Sequence, residues 1–208
     1  PRSTQMWSAS SDFSSGVRMP EPLAAAEVTL REFEESYGVS DAPPVPVERI
    51  ARSLLDLYVD EHDDIRSLPS APDDHGHLSG MLDPNEMVIW IDRAEASRSP
   101  GRRRFTIAHE IGHFRMHLPV GGVFLDRPQD VVEVSSVSES TPRENDHRRR
   151  EREANEFARA LLMPEPLVVE HAEATGFNLA ALAERFEVSV PAMRLRLRVL
   201  GLLPKYMA

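Results

Sequence analysis

Cysteine is absent from this chain of 208 residues. That excludes a disulfide framework and any thiolate metal site, so a metal here must be held by imidazole and carboxylate. No apolar run approaches the roughly 18 residues of a membrane span. The first residues lack the basic, apolar, small-residue order of a secretion signal. The expected address is therefore the cytoplasm, with no membrane partner. Positive charge is scarce as well: 24 Lys and Arg against 34 Asp and Glu give a net charge of −10 and a pI near 5.3. This argues against broad nucleic-acid binding, and no tight DNA binding is expected. The remainder is ordinary globular material, 41% apolar and 28% charged, long enough for one domain with a core of useful size.

The informative stretch runs from Arg104 to Phe114 and contains His109-Glu110-Ile111-Gly112-His113. Side chains at i and i+4 lie on one helix face, about 5–6 Å apart at Cβ. Two imidazoles so placed can converge on one zinc ion, with Zn–N distances of about 2.0–2.1 Å. Glu110 sits beside His109 on nearly the same face, positioned to take a proton from water that such a metal acidifies. Ile107, Ile111, Phe114 and Leu118 form one apolar stripe, and Phe105, Ala108, Gly112 and Met116 a second. Between them runs a polar stripe of Thr106, His109, Glu110, His113 and His117. A helix apolar on most of its circumference is buried. A polar stripe facing inward must then be satisfied, and a metal does that. His117 is eight residues past His109, about 12 Å along the axis, too far to share their ion.

The period predicts a tail over 1–20, a helix from Pro22 to Tyr37 ended by Gly38, a stiff Pro-rich connector, and a short helix using Val47, Ile50, Ala51 and Leu54. Leu55 to Val59 reads as a strand followed by a solvated acidic loop of Asp60, Glu61, Asp63 and Asp64. Leu78–Leu82 and Met87–Ile91 flank a turn at Asp83–Glu86 and read as a hairpin, which can offer an edge to an extended substrate. His75 and His77 read as surface residues. Ser97 to Arg103 reads as a polar, basic lead into the motif helix, and about 126–150 as a flexible loop. The next helix is expected at Glu151–Leu162.

Catalytic zinc takes three protein ligands, one more than the motif supplies. Ala154, Phe157, Ala158, Leu161 and Leu162 define the buried face of the second helix. Glu151 falls on the edge of that face, and Glu153 points to the opposite side, near Glu156. The period therefore selects Glu151 as third ligand, with Asn155 one turn on to orient a ligand. Residues 165–208 read as helical. Leu179–Phe186, the turn Glu187–Ser189 and Val190–Leu200 look like a helix-turn-helix. Residues 175–208 carry five Lys or Arg and two Glu. Arg194 and Arg198 share a face that Arg196 does not, a weak phosphate footprint.

With these residues in place, the chain resembles the ImmA/IrrE family of metallopeptidases. The match rests on Arg104–His113, on Glu151–Ala158, on Leu161–Pro164, and on Leu182–Ser189 with Arg196-Leu197 and Leu200–Leu202. The resemblance implies an α+β fold: a zincin-like peptidase domain over 21–164, with a small sheet or hairpin and the motif helix, then a helix-turn-helix-like region over 165–208 packed on it. It implies His109, His113 and Glu151 as Zn2+ ligands and Glu110 as general base. It implies a cytoplasmic endopeptidase that cleaves a helix-turn-helix repressor, relieving repression in a stress, mobile-element or phage-related response. Members with a GAF-like sensory domain are longer, so a short form is expected. Gluzincin-type enzymes often carry Asp four residues past the ligand Glu, where this chain has Asn155. The sequence does not identify an oxyanion donor; Tyr58, His147 and His171 are the candidates. The rival readings are a zinc-containing regulator or toxin–antitoxin component that binds DNA or a repressor through its C-terminal helices, and a zinc hydrolase of non-peptide substrates.

Overall fold

The computed structural model describes residues 21–38, 42–71, 78–118, 124–126 and 142–203. The expected tail over 1–20, His75 and His77, residues 127–141 of the expected loop, and 204–208 lie outside them. Helix α1 (Pro22–Tyr37) starts on a proline at its first turn and ends where Gly38, at φ 89°, donates its N–H to Glu34. It buries Ala25, Ala26, Thr29 and Phe33. A short helix, α2 (Val47–Arg49), runs on as a wider π turn over Ile50–Leu54 and buries Val47, Ile50 and Ala51.

Leu55 and Leu57 then enter the core, but not as a strand. Asp56 between them is left-handed (φ 55°), which breaks the extended path, so β1 begins only at Tyr58 and runs to His62. The expected strand is thus displaced by three residues, and Asp60 and Glu61 of the expected acidic loop lie inside β1. Glu61 and Asp63 are ion-paired to Arg93, Glu61 also bonds Arg103, and Asp64 caps a 3-10 turn at Ile65–Ser67.

The hairpin forms as β2 (Gly80–Asp83) and β3 (Val88–Asp92), with Met81 opposite Trp90 and Leu82 opposite Ile89. Asp83 closes its turn by accepting from the N–H groups of Asn85 and Glu86. Neither strand is an edge. β1 adds in parallel to β3, and β4 (Phe124–Asp126) adds antiparallel to β2, giving the order β1-β3-β2-β4. The edges are therefore β1 and β4, and the expected hairpin edge is covered on both sides. One sheet face carries Leu82, Ile89 and Ile91 into the main core; Met81 and Trp90 on the other meet Ile65 and Leu78.

The basic lead is itself partly helical. α3 (Arg93–Arg98) is capped by Asp92 and α4 (Pro100–Met116) by Ser99, each through a side-chain oxygen that accepts a backbone N–H. The second long helix, α5, spans Pro142–Leu162, so the expected loop is wrong over 142–150. Its first half has no apolar period to betray it. Arg149 and Arg150 instead bond Asp146 at 2.6 Å from three and four residues on, and Arg149 reaches Glu153. Such charge pairs support a helix without a core face.

α4 and α5 lie side by side at close range. A Cβ on Gly112 would meet Phe157 Cδ1 at 3.0 Å and Ala154 Cα at 3.3 Å. α6 (Glu165–Ala174), α7 (Leu179–Phe186) and α8 (Val190–Val199) follow, with Asn178 and Ser189 as caps and Glu187 in the left-handed region at the turn. One apolar core runs from α1 through Leu182, Phe186, Met193 and Leu197. Arg196, buried on the inner face of α8, donates Nε–H to the Met163 carbonyl just past α5; Arg194 and Arg198 face outward. Among the described residues, no helix is long and apolar enough to cross a membrane.

Candidate metal centre

The polar stripe of α4 is fully inside. Thr106, His109, Glu110, His113 and His117 are all buried, as are Glu151 and Asn155 on α5. Gly112 allows this by letting α5 approach the same face of α4. Two imidazole nitrogens and one carboxylate converge there. His109 Nε2 and His113 Nε2 are 3.0 Å apart, and each lies 3.2 Å from a different oxygen of Glu151. Two donors on one tetrahedral zinc, at about 2.0–2.1 Å from it, are separated by roughly 3.3 Å. The residues present therefore fit such an ion in spacing, in the nitrogen and oxygen donor set, and in burial. Among the described residues they form the one group placed to hold a metal.

The protonation states agree. Burial pushes the His113 imidazole down from 6.5 to about 4, only partly offset by Glu151, so the ring is neutral and able to ligate at pH 7. Burial alone would raise the Glu151 carboxyl. Hydrogen bonds from His109 and His113 outweigh it and hold the group well below the usual carboxylate range. Glu151 is the tenth residue of α5, well inside the helix, so the helix N-terminus does not account for its position.

His109 Nδ1 lies 3.2 Å from Asn155 Oδ1. Glu110 follows His109 on α4, and its Oε1 sits 3.3 Å from where a Cβ on Gly80 would be. The absence of a side chain at Gly80 makes room for this carboxylate under β2. Glu153 departs from the sequence reading. It does not point to the opposite side: its Oε2 is 2.9 Å from His117 Nε2, and His117 Nδ1 is 3.0 Å from His113 Nδ1. Burial lowers the His117 pKa against the opposing pull of Glu153. The third histidine at an i+4 interval was the available sign of this contact.

Of the three oxyanion candidates, only His147 adjoins the triad, with Nδ1 3.6 Å from Glu151 Oε1. Tyr58 is exposed under Arg52, and His171 packs edge-on against Phe186.

The family profile described as the IrrE N-terminal-like domain matches residues 65–198. IrrE of Deinococcus radiodurans, a radiation response metalloprotease, is 32% identical over 176 residues, covering 83% of this chain and 46% of that protein. A solved Mycobacterium tuberculosis transcriptional regulator superposes with a TM-score of 0.54 at 20% identity, over 88% of this chain and 49% of that one. The chain thus spans about half the length of each relative. The mixed α+β architecture, with the motif helix beside a small sheet and helices at the C-terminal side, is the zincin-like metallopeptidase fold. On the extent of the profile match, the chain belongs to the family of the IrrE N-terminal-like domain.

Proposed function

We propose that this protein is a zinc-dependent endopeptidase of the cytoplasm that cuts a helix-turn-helix repressor. The observation that carries the reading is the convergence of His109, His113 and Glu151, with donor atoms within 4.8 Å of one another, beside the buried carboxylate of Glu110 on the helix of the two histidines. Three protein donors leave a position for water or substrate, as catalytic sites do and structural ones do not. When bound, zinc supplies Lewis acidity, polarising a carbonyl and acidifying water. The protein supplies the rest. Asn155 orients His109 through Nδ1, and Glu151 adds the negative charge that suits a divalent ion. Glu110 takes the proton from the attacking water and delivers it to the leaving amine. The burial of Glu110 against Gly80 of β2 keeps bulk water from that carboxylate.

The substrate class rests on the family and on the relative's role in a radiation response, which favour a regulatory protein over bulk protein. In this reading 21–164 carries the chemistry, and α6–α8, joined to the same core, read the partner. The test is to mix zinc-loaded protein with repressors encoded beside its gene and size the fragments by mass spectrometry. A single cut, lost with Glu110→Gln and with chelator, is the expected result. Efficient digestion of generic unfolded protein with every neighbouring repressor left intact would point instead to a housekeeping peptidase.

A further inference from the structure

Behind His113 a chain of polar side chains that the proposed reaction does not use runs from the interior out to the surface. His117 is fully buried one turn after His113. Its Nδ1 faces His113 Nδ1 at 3.0 Å and its Nε2 faces Glu153 Oε2 at 2.9 Å. Glu153 in turn accepts from Arg149 at 3.2 Å, and Arg149 donates to Asp146 at 2.6 Å. A buried imidazole is costly where an aromatic or aliphatic side chain would fill the same space. Such a row therefore calls for a reason.

With an ion on His113 Nε2, the hydrogen-bond inventory would fix the direction of the chain. An ionised carboxylate only accepts, so the proton between Glu153 and His117 is on His117 Nε2. A neutral imidazole has a single N–H, which leaves His117 Nδ1 as an acceptor. The proton between the two rings then belongs to His113 Nδ1. Without an ion, Nε2 of His113 donates to Glu151; with one bound, this tautomer would present the His113 lone pair on Nε2, the atom that faces His109 and Glu151. The other histidine of the triad is served differently: His109 Nδ1 faces the neutral amide oxygen of Asn155. A carboxylate-backed acceptor makes a stronger bond than an amide.

We propose that His117, held by Glu153, is a positioning residue for the metal site: it locks His113 in the tautomer and ring orientation that ligates, and raises the basicity of its Nε2. The proposal rests on the metallopeptidase reading, yet it concerns metal affinity and tautomer rather than turnover. Outer partners of metal-bound histidines are worth about 10–100-fold in metal affinity.

The test uses the full chain and two readouts, zinc affinity by chelator competition and imidazole 15N NMR of the zinc-loaded protein. His117→Phe should weaken zinc binding by about 10–100-fold. Glu153→Gln, nearly isosteric and safe for folding, should weaken it by several-fold and shift the 15N resonances of the His117 ring. Glu156→Gln, exposed on the same helix, should change neither. In the wild type, His117 should be protonated at Nε2 and His113 at Nδ1. Wild-type affinity in both His117→Phe and Glu153→Gln overturns the proposal, as does a His117 ring protonated at Nδ1. A wild-type chain that takes up no zinc at all overturns the metallopeptidase reading along with it.

Discussion

Gly80→Ala puts a methyl group where the interior has no room for one. An ideal Cβ there lies 2.3 Å from Thr106 Cγ2, 3.3 Å from Glu110 Oε1 and 3.4 Å from the Trp90 carbonyl. Carbon atoms in contact sit about 3.5–4.0 Å apart, so the first contact is more than an ångström too short. Neither side yields easily, because β2 is paired on both edges and Thr106 is buried on α4. Overpacking costs about 1–3 kcal/mol, and an overlap of this depth between two backbone-anchored groups belongs near 3 kcal/mol. Thr106→Ser removes the offending methyl and keeps the hydroxyl, at about 1 kcal/mol for the small cavity. The double variant moves one methyl from α4 to β2 and conserves volume, so it should return to within about 1.5 kcal/mol of wild type. The coupling between the two sites is then on the order of 3 kcal/mol. Urea unfolding of the four proteins, all metal-free or all zinc-loaded, measures it. Additive effects, or a Gly80→Ala protein as stable as wild type, would refute the argument. The new methyl still abuts Glu110 in the double variant, so peptidase activity should stay depressed after stability has returned.

Glu151→Gln removes a proposed ligand and should weaken zinc binding by more than roughly 100-fold, beyond the range of outer partners; metal analysis and chelator competition read it. Glu110→Gln should keep the fold and the zinc and lose about 10²–10⁴ in proteolytic rate, and full cleavage by this variant would remove the general-base assignment. Acid should destabilise the metal-free protein. With His113 at about 4 folded and 6.5 unfolded, the unfolded chain binds a proton that the folded one excludes throughout that window. Stability therefore falls by about 1.4 kcal/mol per pH unit as pH drops through it, and the depressed Glu151 extends the loss to lower pH. Urea midpoints at pH 7.5 and 5.5 that coincide would contradict this. Finally, gel shifts at physiological salt should show no tight duplex binding, and a sequence-specific complex with a steep salt slope would favour a DNA-binding regulator.

What could be read from residues alone follows from where apolar periodicity was informative. α1, the hairpin and α4 announce themselves because their buried faces repeat at three and four or at two, and the i+4 histidines carry their own geometry. The left-handed Asp56 is invisible to such a pattern, which is why β1 starts later than expected. The first half of α5 is held by ion pairs among Asp146, Arg149, Arg150 and Glu153, so its composition resembles that of a loop. The parallel pairing of β1 with β3, and the coverage of the hairpin by β4, are non-local choices that no window reports. Helical phase placed Glu151 and Asn155 on the buried edge of α5, where the structure also has them, but misdirected Glu153. A long carboxylate can reach around the helix to a buried partner, and phase describes only where its Cβ points.

The two halves of the triad come from helices far apart in sequence, His109 and His113 on α4 and Glu151 on α5. An ion gripped by both helices ties the chain into a loop. This protein has no cysteine with which to do the same covalently. For a loop of roughly 40 residues, cross-linking removes about 4 kcal/mol of entropy from the unfolded ensemble in the chain-entropy view of a disulfide. By that analogy the centre would act as a reversible staple, removable by a chelator. The same atoms that prepare a carbonyl for attack would then set how long the chain survives unliganded. Metal supply would govern the protein's lifetime as well as its rate.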